Sequence, residues 1–155
     1  MPGTRRKTRA ARLPTIIGWR EHIGLPDLGL VAVSAKIDTG ARTTALHASR
    51  IRTYERDGEL WVEFHPEHER LEASRLCWMP VHDRRSITNT SGVPEERVII
   101  RTRLLIATHA LHVDVSLSDR TDMSYPIIIG RSALRRARLL VDSGRSWLTE
   151  PREGD

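Results

Sequence analysis

The chain has one cysteine, Cys77, so no disulfide can close within it and the fold has to hold by packing alone. Aromatic residues are scarce at 5%, and no RRM, KH or zinc-finger pattern occurs, which argues against an RNA-stacking platform. Long apolar runs are also missing. Stretches such as 104–107 are far too short to cross a bilayer, and no apolar h-region follows the basic N-terminus. Neither a membrane span nor a secretory signal is expected, and a reducing cytoplasm is the expected location. No Gly-x4-Gly-Lys loop is present to cradle ATP, and no His-Glu-x-x-His to hold zinc. At 155 residues the chain fits one domain with a buried core; a two-lobed enzyme or a TIM barrel is excluded.

The net charge of +5 would point to nucleic acid if it were spread over the fold. It is not. Arg5, Arg6, Lys7, Arg9 and Arg12 crowd into residues 1–14 without an acid, so the remainder is balanced. The expected organisation is a basic disordered leader over 1–14, one folded domain over 15–150 and a tail over 151–155, with nucleic acid touched only weakly, through the leader.

From residue 15 onward the pattern alternates with period two, and β-branched residues cluster at 16–17, 30–37, 60–64, 76–81, 98–106 and 111–117. Short strands are predicted there. Turns fall at Asp57-Gly58, Ser91-Gly92 and Thr108-His109-Ala110. One helix is predicted, capped by Ser132 and running through Arg138, with a last strand at Ser146-Trp147-Leu148. The fold class is all-β.

The predicted strand at 30–37 runs into Asp38-Thr39-Gly40-Ala41. A carboxylate at a strand end suits acid–base work, a small hydroxyl can lock the loop, and glycine lets backbone approach closely. Alone the triplet is also an ordinary turn, since Asp opens turns and Gly closes them. Some ninety residues on, Tyr125-Pro126-Ile127-Ile128-Ile129-Gly130-Arg131 places three β-branched residues before Gly-Arg and the helix.

Together the two segments resemble the retropepsins, whose apolar-apolar-Gly segment passes beneath the catalytic loop and leads through Gly-Arg into a single helix. The longer run Lys36-Ile37-Asp38-Thr39-Gly40-Ala41-Arg42-Thr43-Thr44-Ala45-Leu46-His47-Ala48, with Arg101-Thr102 and Leu140-Val141-Asp142, is similar to the bacterial retropepsin-like family associated with RimK-type glutamate ligases. That family is often labelled as ATP-dependent zinc proteases; this chain has the motif for neither, and no metal or cofactor is expected. The resemblance implies a retropepsin-like closed acid-protease barrel with one short C-terminal helix. It further implies catalysis by Asp38, Thr39 and Gly40, the second carboxylate coming from another copy of the chain across a two-fold axis. Two such carboxylates share one proton. The paired site is expected to be built from the strand and loop over Leu30–Ala41 and from the C-terminal strand around Trp147.

By order along the chain, the flap that covers the site in retropepsins falls at residues 86–92, so Asn89, Thr90, Ser91 and Gly92 are expected to meet substrate, along with Ala41, Arg42, Ile128, Gly130 and Arg131. Only one glycine stands at that tip. Where viral-type enzymes carry an Asp after the triplet, this chain has Arg42, so Arg131 is expected to pair instead with Asp119 or Asp122. Arg42 would favour acidic, glutamate-rich substrates, or simply anchor its loop.

Other candidates are weaker. His65 and His68 flank Pro66, and His109 and His112 face opposite sides of a strand. Cys77, between Leu76 and Trp78, reads as a buried small residue. Asp142-Ser143-Gly144 is a second triplet, but too little chain follows it for another lobe, so it reads as a turn. The expected function is an aspartic-type peptidase acting on peptide or isopeptide bonds. Two alternatives stay open: an inactive retropepsin-like peptide-binding or dimerisation module, and an RNA- or ribosome-associated factor relying on the leader.

Overall fold

The computed structural model describes residues 13–67, 75–88, 91–119 and 124–149. The leader, the tail and the flap residues Asn89 and Thr90 lie, wholly or nearly so, outside the described residues.

Among the described residues, eleven strands and one α-helix follow in order, with a short 3-10 turn at Pro26–Leu28: β1 (Thr15–Gly18), β2 (Arg20–Leu25), β3 (Leu30–Asp38), β4 (Thr44–Arg56), β5 (Glu59–Pro66), β6 (Cys77–Pro80), β7 (Asp83–Thr88), β8 (Pro94–Ile106), β9 (His109–Ser118), β10 (Ile127–Gly130), α1 (Arg131–Arg136) and β11 (Leu139–Asp142). Strands make up 65% of the structure. Alternation explains them: in β8, Ile100, Thr102, Leu104 and Ile106 point inward while Arg101, Arg103 and Leu105 face out. Asp57 and Gly58 both adopt positive φ, the geometry a two-residue hairpin between β4 and β5 requires.

Six strands close into a barrel in the order β10-β3-β2-β8-β9-β4, with β4 pairing back onto β10. The core inside it includes Leu25, Leu30, Leu46, Ile100, Leu104, Ile127 and Ile129, each almost fully buried. β4 continues past the barrel to carry β5 and β6, and β7 pairs with the first half of β8 as a projecting hairpin. The fold expected from the sequence is therefore present, closed barrel and short helix included. No helix among the described residues is long and apolar enough to cross a membrane.

Three local expectations are corrected. The helix starts two residues early, at Arg131, with extended Gly130 in place of Ser132 as its N-cap and Ser132 already inside it; it ends at Arg136. Residues 146–148 form no strand. Trp147 takes a positive φ of 59°, hydrogen-bonds through its N–H to the Arg20 carbonyl, and stacks on His22 with ring centroids 4.4 Å apart. It is occupied within its own chain.

Behind this corner sits a buried acid. Glu21 has no exposed surface, and its carboxylate accepts from the N–H groups of Gly18 (2.6 Å), Leu148 (3.1 Å) and Thr149 (3.0 Å) and from the Thr149 hydroxyl (3.0 Å). Those donors offset the cost of burying a charge and staple the end of the described chain to its beginning.

Candidate active site

Asp38 closes β3, and the chain then turns sharply: the Gly40 N–H donates to Asp38 Oδ1 at 2.9 Å and the Ala41 N–H to the Asp38 carbonyl at 3.3 Å. β10 runs parallel to β3 with Gly130 in register with Asp38. A Cβ on Gly130 would lie 2.6 Å from the Thr43 carbonyl carbon, so only glycine lets the two segments cross. The Gly130 N–H donates to the Thr44 hydroxyl at 3.2 Å.

The start of α1 then grips the loop from one side. The Arg131 N–H bonds the Ala41 carbonyl at 2.8 Å, the Arg131 guanidinium bonds the Gly40 carbonyl at 3.0 Å, and both the N–H and hydroxyl of Ser132 reach the Arg42 carbonyl. Arg131 thus finds its partner in the loop backbone rather than in Asp119, and Asp122 lies outside the described residues. Ser132, read from the sequence as a cap, spends its hydroxyl on Arg42. The structure brings Asp38, Thr39, Gly40, Ala41, Arg42, Gly130 and Arg131 into one cluster. Ile128, in the middle of β10, pairs in register with Lys36 and Ala45.

The residues expected to form a flap fall in the β7–β8 hairpin, where Thr88 pairs with Pro94 at the outer end and Ser91 and Gly92 are exposed. Its root meets the loop: Arg85 on β7 donates to the Thr43 hydroxyl at 3.4 Å and pairs with Asp83 (3.0 Å) and Asp114 (3.2 Å). Arg85 holds the Asp83 carboxyl below the usual carboxylate range. The sequence reading missed Arg85 and Thr44. Arg84-Arg85 beside a turn was the available signal, but which of the two faces the loop depends on pairing register.

Thr39 is exposed and lines an open cleft of about 480 Å³ shared with Leu134, Leu139, Leu140 and Val141. Leu140 and its register partner Ile16 remain more than half exposed. Asp142-Ser143-Gly144 is a turn, as expected, yet it repeats the first loop closely. The Gly144 N–H donates to Asp142 Oδ1 at 3.0 Å, and β1 runs parallel to β11 with Gly18 in register with Asp142. An apolar-apolar-Gly partner, Ile16-Ile17-Gly18, therefore exists for the second triplet; it precedes the triplet in the chain instead of following it. Gly18 is as tightly placed as Gly130, since a Cβ there would lie 2.5 Å from the Arg145 carbonyl oxygen. Among the described residues, the second loop lacks a helix behind it and a hairpin root beside it.

Cys77 is buried, and its thiol, 3.8 Å from the Leu28 carbonyl, is pushed up from its usual pKa by that burial. Among the described residues no three His, Cys, Asp or Glu side chains gather as a metal-ligand set.

Comparison with known proteins agrees with this geometry. A family model described as the retropepsin-like aspartic endopeptidase RimB matches residues 16–152. A probable alpha-L-glutamate ligase of Desulfotalea psychrophila is 39% identical over 129 residues, covering 82% of this chain and 28% of that protein. One of Shewanella halifaxensis is 37% identical over 134 residues, covering 85% and 29%. The chain thus spans less than a third of these curated relatives. A solved Legionella pneumophila protein of unknown function shares the fold, with a TM-score of 0.72 and 24% identity over 88% of this chain and 98% of that one.

Proposed function

The chain belongs to the RimB-like family of retropepsin-like aspartic endopeptidases, and from that premise we propose that it is an aspartic peptidase whose active site forms when two copies bring their Asp38 loops together, hydrolysing peptide or isopeptide bonds in acidic, glutamate-rich tails. The observation that carries the reading is the crossing of Gly130 under Asp38, with α1 and Arg131 fixing the loop that follows. Such a loop presents one carboxylate on rigid backbone and needs a second. The cleft lined by Thr39, Leu134, Leu139 and Leu140, largely apolar and edged by Arg131, Arg135 and Arg138, supplies with exposed Ile16 beside Leu140 a surface suited to another copy.

In the pair, two carboxylates at close range retain one proton between them. The ionised member takes a proton from water as the water oxygen attacks the scissile carbonyl, while the protonated member gives its proton to the carbonyl oxygen, forming a diol. The diol collapses as the carboxyl that took the water proton passes it to the leaving nitrogen, the other carboxylate takes back a proton from a diol hydroxyl, and the C–N bond breaks. Arg42 stands beside the loop, and its guanidinium has no hydrogen-bond or ion-pair partner among the described residues, so it is free to meet a substrate carboxylate. The relatives named as glutamate ligases support a link to a RimK-type ligase that adds the residues this peptidase removes.

The test is mass spectrometry of glutamate-tailed and glutamine-tailed peptides incubated with native chain and with Asp38→Asn. Native chain is expected to shorten the glutamate series faster, and Asp38→Asn to cut neither. Undiminished cleavage by Asp38→Asn overturns the mechanism; an inert native chain that still binds these peptides would favour the binding-module reading.

A further inference from the structure

A second cavity lies on the opposite flank of α1 from the apolar cleft. It measures about 220 Å³, and four arginines from four different segments line it: Arg42 just after the Asp38 loop, Arg85 at the root of the β7–β8 hairpin, Arg101 on β8 and Arg136 at the end of α1. One carboxylate, Asp114, lines the cavity with them, and a second, Asp83, pairs with Arg85 at 3.0 Å from outside the lining, so four cations meet two acids. Asp114 on β9 accepts from Arg85 at 3.2 Å and from Arg101 at 3.1 Å, with His82 at 3.7 Å. Arg136 is fixed differently, by donating to the His112 carbonyl.

This arrangement leaves positive charge in excess and donors unused. Asp114 is shared between two guanidinium groups, one of which also pairs with Asp83, Arg136 engages one nitrogen with a neutral acceptor, and the Arg42 guanidinium engages no partner among the described residues. Converging cations repel one another, and an anion between them relieves the repulsion. A guanidinium fork matches a carboxylate in shape as well as charge. The volume is below the roughly 300–1,000 Å³ of pockets that take drug-sized ligands and suits a single side chain. Its position is equally specific, because Arg42 and Thr43 continue directly from the Asp38 loop and Arg85 bonds Thr43.

We infer that this cavity is a carboxylate subsite that receives an acidic side chain of the bound peptide, with Asp114 as the positioning residue that aims Arg85 and Arg101 into it. The inference rests on the peptidase reading of the Asp38 loop and deepens it by adding, beyond Arg42, the three cations that read the acidic side chain. Arg101 bonds Asp114 and Arg136 bonds the His112 carbonyl, so substituting them tests the subsite without removing a bond to the Asp38 loop.

The experiment measures binding in the full chain carrying Asp38→Asn, which cannot cleave what it holds. Calorimetry compares a peptide containing a run of glutamates with its glutamine counterpart at physiological salt, and inorganic phosphate is titrated as a competitor. The glutamate peptide is expected to bind about tenfold more tightly. Adding Arg101→Gln or Arg136→Gln should erase that preference while leaving affinity for the glutamine peptide unchanged. Arg101→Lys and Arg136→Lys keep the charge but lose the fork, and should give an intermediate preference; they carry the test if the Gln variants do not fold. A preference that survives every one of these substitutions overturns the subsite. So does phosphate binding in a chain that shows no advantage for glutamate, which would mark a free-anion well. The peptidase reading fails separately, if native chain leaves both peptides intact while the glutamate preference in binding persists.

Discussion

Gly130 stands in register with Asp38 on adjacent parallel strands, and the backbone of Thr43 passes so close to it that no side chain fits between them. The catalytic candidate is therefore positioned by a residue without a side chain, some ninety positions away in sequence. Gly130→Ala is expected to push Thr43 aside, costing about 1–3 kcal/mol of stability by overpacking and most of the activity. Urea unfolding alongside a cleavage assay checks this; a variant with native stability and activity would mean that the crossing is looser than described.

Asp38→Asn should abolish hydrolysis and leave the fold intact, because the amide oxygen of Asn can still accept the Gly40 N–H that shapes the turn. Asp142→Asn preserves its own turn in the same way and should be nearly silent in activity. Cleavage rates and thermal melts of the two variants settle the matter, and equal loss of activity in both would assign the second loop a part in catalysis.

If a second copy covers the cleft beside Thr39, a charge placed on Leu140 meets that copy's apolar surface. Leu140→Asp, on a side chain already 54% exposed, should leave the monomer folded yet shift sedimentation toward a single copy and lower activity in proportion. Sedimentation velocity over a concentration series, with and without peptide, reads the outcome. A native chain that stays single throughout, and is active, contradicts the shared dyad.

Glu21→Ala removes an acceptor from three N–H groups and one hydroxyl at a site without solvent. A loss of about 2–4 kcal/mol is expected, since buried donors left unpaired cost more than an average hydrogen bond contributes. Denaturant unfolding measures it. A change within experimental error would mean that water takes over those donors.

Burial raises the Cys77 pKa, so the reactive thiolate is disfavoured in the native state up to a higher pH than in a free thiol. Alkylation by iodoacetamide at pH 8 should be slow in folded protein and fast in urea. Equal rates in both would place the thiol in solvent.

The elements easiest to read from the sequence were those written in local chemistry. Alternation along β8 and the Asp57-Gly58 turn each declare themselves within a few residues, and the Asp-Thr-Gly and Ile-Ile-Gly segments mark both halves of the site. The features missed all depend on distant backbone. Ser132 looks like a cap until the Arg42 carbonyl claims its hydroxyl, and Arg131 looks in need of an acid until the Gly40 carbonyl arrives to meet it. Trp147 reads as strand because it is aromatic and flanked by apolar character, but stacking on His22 and a left-handed backbone decide otherwise. The arginines that line the cavity with Asp114 sit at 42, 85, 101 and 136, each at least sixteen residues from the next.

The two Asp-x-Gly turns, each with its own glycine strand running alongside, give one chain the same small unit twice. The first turn has α1 at its back and the arginine-bearing β7–β8 hairpin at its side; the second has β1 alongside, which leads into β2 and the Glu21 staple. A triplet read in sequence therefore marks a turn, and what distinguishes one triplet from the other is the set of segments that the fold brings against it from elsewhere in the chain.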